Sequence, residues 1–425
     1  MHRIIITLFV LGSLLACLAV PGARAVPRED ILALMNQVSA ANLNATLLHF
    51  EDYGTRFCAS ANAWAVAQDL RSRMVALGWE TGLQEFTFEH DTLGVVTSWN
   101  VVARRAGLAP YPDGATVILG AHWDTVNEQP GGSYDDPEAP APGVGDNGTG
   151  VACLLEIARI VKDYSFYQNV EIVFFGAEET HLEGSKAYVA QHNALDSNIA
   201  GVLNVDTIGF DTDALWDFAI VSDDQSRWFK NWILGYVSDY SPELTPIVWE
   251  IPGGWSNSDA YSFWQNHPAD PAVSIWEGRP DIPGEHAPYG HTALDTYENS
   301  ISDYGIFLRA MTRFVFASFC AYGNLGDKLT DVADLPGSDA ALAIHPNPFR
   351  DRATIRFASE QGNTGARLSI YDLQGRRVRS LPLAGGESVV WDGRDAEGGR
   401  LSSGVYFVRA DGRPDLDSQR VVLLR

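Results

Sequence analysis

The sequence predicts an α/β fold, a mixed, mainly parallel β-sheet flanked by helices, followed by a small all-β sandwich. Three observations carry this. Between residues 60 and 320 short β-rich runs alternate with helical ones, the order that winds a chain into a sheet covered by helices. One of those runs, Val170-Glu171-Ile172-Val173-Phe174-Phe175, is almost wholly apolar, as a strand buried on both faces requires. Finally, the charge balance changes sign along the chain. Residues 343–425 hold 13 Arg, no Lys and 10 acidic residues, a net of +3, whereas residues 26–342 hold 15 basic and 44 acidic residues, a net of -29.

Taken in order, the chain opens with Met1-His2-Arg3, an apolar run and the small-residue site Ala23-Arg24-Ala25, which reads as an export signal over 1–25 with the mature chain starting near Val26. The alternative is a lipoprotein signal, in which Leu14-Leu15-Ala16-Cys17 serves as the lipobox and Cys17 anchors a surface protein. A large domain over 26–322 begins with helical patterns at 29–48 and 60–77, the second carrying Trp64, Ala67, Leu70, Met74 and Leu77 at helical spacing with Gly78 as a stop. Strands are expected at 116–119, 170–175, 202–205 and 273–276, with helices at 151–162 and 184–192 between them. The apolar run at 170–175 is expected at the middle of the sheet. The Pro/Gly-rich loop 128–145 is too long for a bare connection and is read as the rim of a site, the alternative being a surface insertion. Residues 323–340 are polar and aperiodic, a linker. Six short alternating segments between 353 and 424, separated by Gly, Asp and Asn turns, then form the sandwich.

Composition narrows the function. The whole chain carries 30 basic against 54 acidic residues, which argues against nucleic acid or an anionic membrane as the main partner. Outside the export segment the cysteines are Cys58, Cys153 and Cys320, which allow one disulfide at most and have no metal-type spacing. No Gly-x-Ser-x-Gly elbow and no Gly-rich phosphate loop is present.

What the chain does contain is a set of acids and histidines at strand ends. His122 and Asp124 follow the strand at 116–119, with Asp124 placed to orient the imidazole. Gly145-Asp146-Asn147-Gly148-Thr149-Gly150 precedes a helix, where Asn147 or Thr149 would cap it. Glu178 and Glu179 sit side by side just after the most apolar strand, a costly arrangement unless a cation or a proton offsets their repulsion. Asp206 ends another apolar strand, and His291 and Asp295 lie in a later loop. Open α/β sheets bind ligands at the C-terminal edge of their strands. Two imidazoles and several carboxylates without thiolate suit Zn²⁺ or another borderline divalent ion, in number enough for two ions sharing a bridging carboxylate.

The ordered motifs Ala-His-Trp-Asp-Thr, Gly-Asp-Asn-Gly-Thr-Gly, Gly-Ala-Glu-Glu, Asn-Val-Asp and His-Thr-x-x-Asp-Thr resemble those of the secreted co-catalytic zinc aminopeptidases of the bacterial leucyl aminopeptidase and aminopeptidase Y type, over roughly residues 50–320. The resemblance implies the zinc exopeptidase fold and two Zn²⁺ ions, one held by His122 and Asp206, the other by Glu179 and His291, with Asp146 bridging. Glu178 would be the general base on the water, and a cis peptide would follow Asp146. The chain departs from the family at Ser258-Asp259-Ala260, where a Ser-Asp-His is common, and at Trp255, where some relatives carry an oxyanion-stabilising Tyr; Tyr289 and Tyr261 are candidate replacements. His286 is a competing ligand.

The substrate follows from charge. Between His122 and His291 the only basic residues are Arg159, Lys162, Lys186, Arg227, Lys230 and Arg279, so the site favours the cationic amino terminus of a peptide over a free carboxylate. A carboxypeptidase would need a cation, and Arg279 is the candidate. Trp249, Trp255, Trp264 and Trp276 either line a pocket for the first side chain or pack the core, with Trp255, Tyr289 and Arg279 taken as pocket residues. A single-zinc glutaminyl cyclase and a non-catalytic exported scaffold are the remaining alternatives. The C-terminal module (341–425), with His345-Pro346-Asn347-Pro348-Phe349, Val390-Trp391-Asp392-Gly393 and Ser403-Gly404-Val405-Tyr406, resembles the immunoglobulin-like C-terminal sorting domains of type nine secretion cargo and the related module of flagellar hook-capping proteins, which implies an export-machinery partner and a secreted or cell-surface protein, the alternative being a passive stabilising module.

Overall fold

The computed structural model describes residues 27–108, 114–195, 197–211, 213–266, 270–279, 282, 284–328, 343–345, 349, 352–356, 364–372, 376–384, 388–402, 404–411 and 419–423. The expected export segment with Cys17, the start at Val26 and the linker stretch 329–340 lie outside them, as do parts of the sorting motifs.

The chain begins with α1 (Glu29–Met35), α2 (Ala40–Glu51) and α3 (Ala63–Ala76), then the hairpin β1 (Glu80–His90) and β2 (Gly94–Arg105). β3 (Thr116–His122), α4 (Thr149–Ile160), β4 (Tyr164–Phe166), β5 (Asn169–Phe175), α5 (Glu183–Ala194) and β6 (Ile199–Val205) follow, then β7 (Asp217–Ser222), α6 (Arg227–Tyr240), β8 (Thr245–Glu250), α7 (Ala260–Trp264) and β9 (Ala272–Trp276). α8 (Tyr297–Ser300), α9 (Ile306–Tyr322) and β10 (Leu325–Lys328) complete the large domain. Eight strands form one sheet in the order β1-β2-β5-β3-β6-β9-β7-β8. Its four inner strands β5, β3, β6 and β9 run parallel, with antiparallel partners on both sides.

Alternation along these strands divides the side chains between two apolar layers, because successive residues point to opposite faces. Val170, Ile172 and Phe174 of β5 join Val117, Leu119 and Ala121 of β3 and Leu203 and Val205 of β6 under α4, α6 and α9. Val173 and Phe175 meet Ile118 and Val202 on the other face, beneath Tyr188 of α5 and Phe263 of α7. Both faces are covered, which explains the near-continuous apolar runs. The parallel inner strands also bring four C-terminal ends to one edge. β3 ends at His122, directly across from Phe175 of β5, and β6 and β9 pair up to Val205 and Ile275.

Several expectations need correction. The helix at 29–48 is two helices, because Ser39 starts a new one by accepting from the N–H of Asn42 and donating its own N–H to Glu156. The strand at 170–175 is third of eight rather than central, since the other inner strands β3, β6 and β9 all lie on one side of it and only the hairpin β1-β2 on the other. Residues 325–328, expected in the linker, form a strand of the large domain, as β10 pairs with β4.

The C-terminal module has β11 (Ala343–His345), β12 (Ala353–Arg356), β13 (Thr364–Tyr371), β14 (Arg377–Ala384), β15 (Ser388–Trp391), β16 (Gly404–Ala410) and β17 (Gln419–Leu423). They form two antiparallel sheets, β11-β12-β15 and β14-β13-β16-β17. Trp391 packs between Phe349 and Tyr406 in a core of its own. All six expected strands are present.

Candidate active site

His122, Asp146, Glu179, Asp206 and His291 converge at the C-terminal edge of the inner strands. The carboxylate of Asp146 lies between the two imidazoles, Oδ1 at 3.1 Å from His122 Nε2 and Oδ2 at 3.2 Å from His291 Nε2. Asp206 Oδ1 is 3.4 Å from His122 Nε2, and Glu179 Oε2 is 3.0 Å from His291 Nε2. Each imidazole thus faces one private carboxylate and one oxygen of a shared one. Glu178 lines the same cavity beside Glu179.

Buried groups hold this arrangement in place. The Asp146–Asn147 peptide is cis. Asn147 Oδ1 accepts from the N–H groups of Gly150 and Thr207, so it caps α4 and ties that helix to the segment that follows Asp206. Asp295 accepts from the N–H groups of Gly145 and Asp146 (2.8 and 2.9 Å), fixing the turn that presents the shared carboxylate. Ser258 donates to Asp206 Oδ2 at 3.3 Å. Asp124 lies on the Nδ1 side of the His122 ring and also holds a second element. Its carboxylate accepts from the N–H groups of Glu178 and Glu179 and so shapes the glutamate turn. Its Oδ1 is 3.7 Å from His122 Nδ1, beyond hydrogen-bond reach, and the ring nitrogen meets the Asp124 carbonyl oxygen at 3.2 Å instead.

Charge in the site is heavily perturbed. Burial pushes Glu179 up to about 7 against the pull of His291, and Asp259 up to about 7 against that of His122. Burial raises Glu178 well above the carboxylate range and raises Asp206 too. Asp146 moves the other way, because its contacts with His122 and His291 outweigh its burial. Burial alone would lower His122, but Glu178 and Asp206 lift it well above its ordinary value, and Glu179 leads the groups that raise His291. In the metal-free chain protons therefore offset a concentration of negative charge. Among the described residues, buried Asp146 Oδ1 and Glu179 Oε1 have no donor in hydrogen-bond geometry, and ligand atoms of His122, Asp146 and Glu179 lie within 4.8 Å of one another. Nitrogen and oxygen donors without thiolate, with orphaned oxygens aimed inward, fit zinc.

The cavity above these residues measures about 470 Å³. Trp255 and Trp276 line it, with ring centroids 5.0 Å apart, and Trp249 packs behind Trp255. Trp264 belongs to the core. Tyr289 and Arg279 are not among the lining residues. Tyr289 contributes its carbonyl to the Thr292 hydroxyl, and the Arg279 guanidinium stacks over Trp249. His286 lines the cavity but stands outside the ligand group, its Nδ1 buried without a partner among the described residues. The loop at 128–145 does form a rim, through Glu128 and Tyr134. Cys58, Cys153 and Cys320 are buried free thiols.

Sequence reasoning missed Arg56, which is fully buried beneath the site. Its guanidinium donates to the carbonyls of Trp123, Phe50, Pro142 and Gly143, and its charge faces Asp295, Asp124, Asp146 and Glu179. An arginine in a Gly-Thr-Arg-Phe turn has no signature that separates it from a surface residue.

Comparison with known proteins places the chain. Leucine aminopeptidase 1 of Coccidioides posadasii is 26% identical over 194 residues, covering 43% of this chain and 47% of that protein. The chain spans about half the length of the curated relatives it matches. Among solved structures, the LapA aminopeptidase of Legionella pneumophila aligns with a TM-score of 0.55 at 20% identity, covering 69% of this chain and 74% of that one. The glutaminyl cyclase of Porphyromonas gingivalis aligns at 0.54 with 17% identity, covering 67% and 98%. These two likenesses are of fold. Residues 349–414 match the FlgD Ig-like domain. Residues 100–314, just over half of the chain and inclusive of all five converging groups, match peptidase family M28, and the chain belongs to that family.

Proposed function

We propose that the protein is an aminopeptidase that works with two zinc ions, one between His122 and Asp206, the other between Glu179 and His291, with Asp146 shared. The single observation that carries this reading is the placement of the Asp146 carboxylate, one oxygen toward each imidazole, at 3.1 and 3.2 Å. Zinc would supply a Lewis acid that polarises the peptide carbonyl and acidifies water near neutral pH.

The chain's own groups do the rest. Glu178, buried at the cavity wall, takes a proton from the attacking water on its carboxylate and hands it to the departing amine nitrogen. Asp124 holds the Glu178 backbone, so the carboxylate is aimed before substrate arrives. The acidic wall attracts the substrate's α-ammonium group and repels a terminal carboxylate, which separates amino- from carboxypeptidase action. Trp255 and Trp276 shape the space for the first side chain. Export through the amino-terminal signal, with the C-terminal sandwich as the address read by a type nine secretion apparatus, is part of the same proposal.

Glu178→Gln tests it. The variant should bind zinc as the wild type does and lose at least about 100-fold in kcat on aminoacyl amides, the usual scale of a general base. Wild-type turnover by a zinc-loaded Glu178→Gln protein would remove Glu178 from the reaction.

A further inference from the structure

We infer that Glu128 is a positioning residue for His291, so that the strength of one of the two metal positions is set from the rim loop and that of the other is not. The inference rests on the two-ion reading above. Glu128 Oε2 lies 3.2 Å from His291 Nδ1, the ring nitrogen opposite the Nε2 that faces Asp146 and Glu179. The same residue's N–H donates to the His291 carbonyl at 3.0 Å. Loop and histidine are therefore joined twice, once through backbone and once through side chain.

The chemistry follows from the pairing of the two ring nitrogens. A carboxylate on Nδ1 fixes the tautomer that keeps the proton there, leaves the Nε2 lone pair directed at the ligand cluster, and increases its basicity. His122 is held differently and not from the rim loop: its Nδ1 meets the Asp124 carbonyl at 3.2 Å, with the Asp124 carboxylate farther off at 3.7 Å. The two imidazoles thus differ as ligands. His291 is also the more exposed, with 38% of its side chain accessible against 2% for His122, and packing alone restrains it less. Glu128 supplies the restraint that burial supplies to His122. Its own side chain is 51% accessible, so the contact is made at the cavity rim.

The test is zinc affinity, read by competition with a chromophoric chelator on the full chain, for wild type, Glu128→Gln and Glu128→Leu. The backbone bond to the His291 carbonyl survives both substitutions, and unaltered circular dichroism confirms the fold. Expected is a selective weakening of one ion by roughly 10- to 100-fold in Glu128→Leu, with the second ion unchanged and Glu128→Gln intermediate, because its amide oxygen accepts from Nδ1–H without the charge. Equal weakening of both ions, or wild-type affinity in Glu128→Leu, overturns the assignment. Wild-type protein that binds one zinc or none overturns the two-ion reading itself and the inference with it, a result visible before any variant is made.

Discussion

Replacing Arg56 with methionine removes a buried cation that donates to four carbonyls and sits over the Phe50 ring. Nε donates to Trp123 at 2.9 Å, Nη1 to Pro142 at 2.6 Å and Phe50 at 3.3 Å, and Nη2 to Gly143 at 2.9 Å. Four buried acceptors lose their donor, which at about 1 kcal/mol each amounts to ~4 kcal/mol. Methionine refills much of the volume and the guanidinium's own burial cost disappears, so the net loss is about 2–3 kcal/mol. Burial holds Arg56 at about 10, and it is therefore charged at neutral pH, facing Asp295, Asp124, Asp146 and Glu179. Without it Glu179, which burial already raises to about 7, titrates higher in the fold. A carboxyl whose folded pKa is raised stabilises while protonated and loses that contribution as pH rises through the folded value. The metal-free variant should accordingly lose more relative to wild type at pH 8 than at pH 6. Urea unfolding of both metal-free proteins at the two pH values measures this. A deficit below about 1 kcal/mol at both would refute the reasoning, since it lies under the cost of a single orphaned acceptor.

Other expectations concern the surface and the pocket. Glu250 accepts from Arg227 and Lys230, which hold it down to about 2; a depressed carboxylate stabilises above its ordinary pKa and loses that as pH falls through the folded value, so Glu250→Gln should be less stable than wild type at pH 7, with the gap closing between pH 4.5 and 2 in thermal melts. Trp255→Ala, which opens the cavity beside Trp276, should cost roughly 10- to 100-fold in kcat/KM for amides with a large apolar first residue, about 1.5–3 kcal/mol of lost burial, and little for alanine amides; an equal loss on both would place Trp255 outside the pocket.

The parts of this protein that the sequence exposed are those where chemistry conflicts with location. Glu178, Glu179 and Asp206 are acids at the ends of apolar strands, and burial of that kind requires a reason. The inner strands β3, β5, β6 and β9 were legible because two-sided burial leaves little room for polar residues. The hairpin β1-β2 was not, since the alternation in β1 is between exposed and half-covered positions and gives no clean apolar face. Arg56, Asp295 and Glu128 act through backbone groups or a single ring nitrogen brought near by the fold, and their contacts with Trp123, Asp146 and His291 span 67 to 163 residues, a meeting no local pattern encodes. Tyr289 and Arg279 were drawn toward the cavity by their neighbours in sequence, whereas the loop turns the Tyr289 carbonyl to Thr292 and stacks Arg279 on Trp249.

The most direct test of the central claim is metal content per chain, by elemental analysis of the purified protein, read together with hydrolysis of aminoacyl amides and their N-blocked counterparts. The account predicts two zinc ions per chain and cleavage of free-amine substrates alone. One zinc ion with cyclisation of amino-terminal glutamine, or equal cleavage of blocked and free substrates, would contradict it.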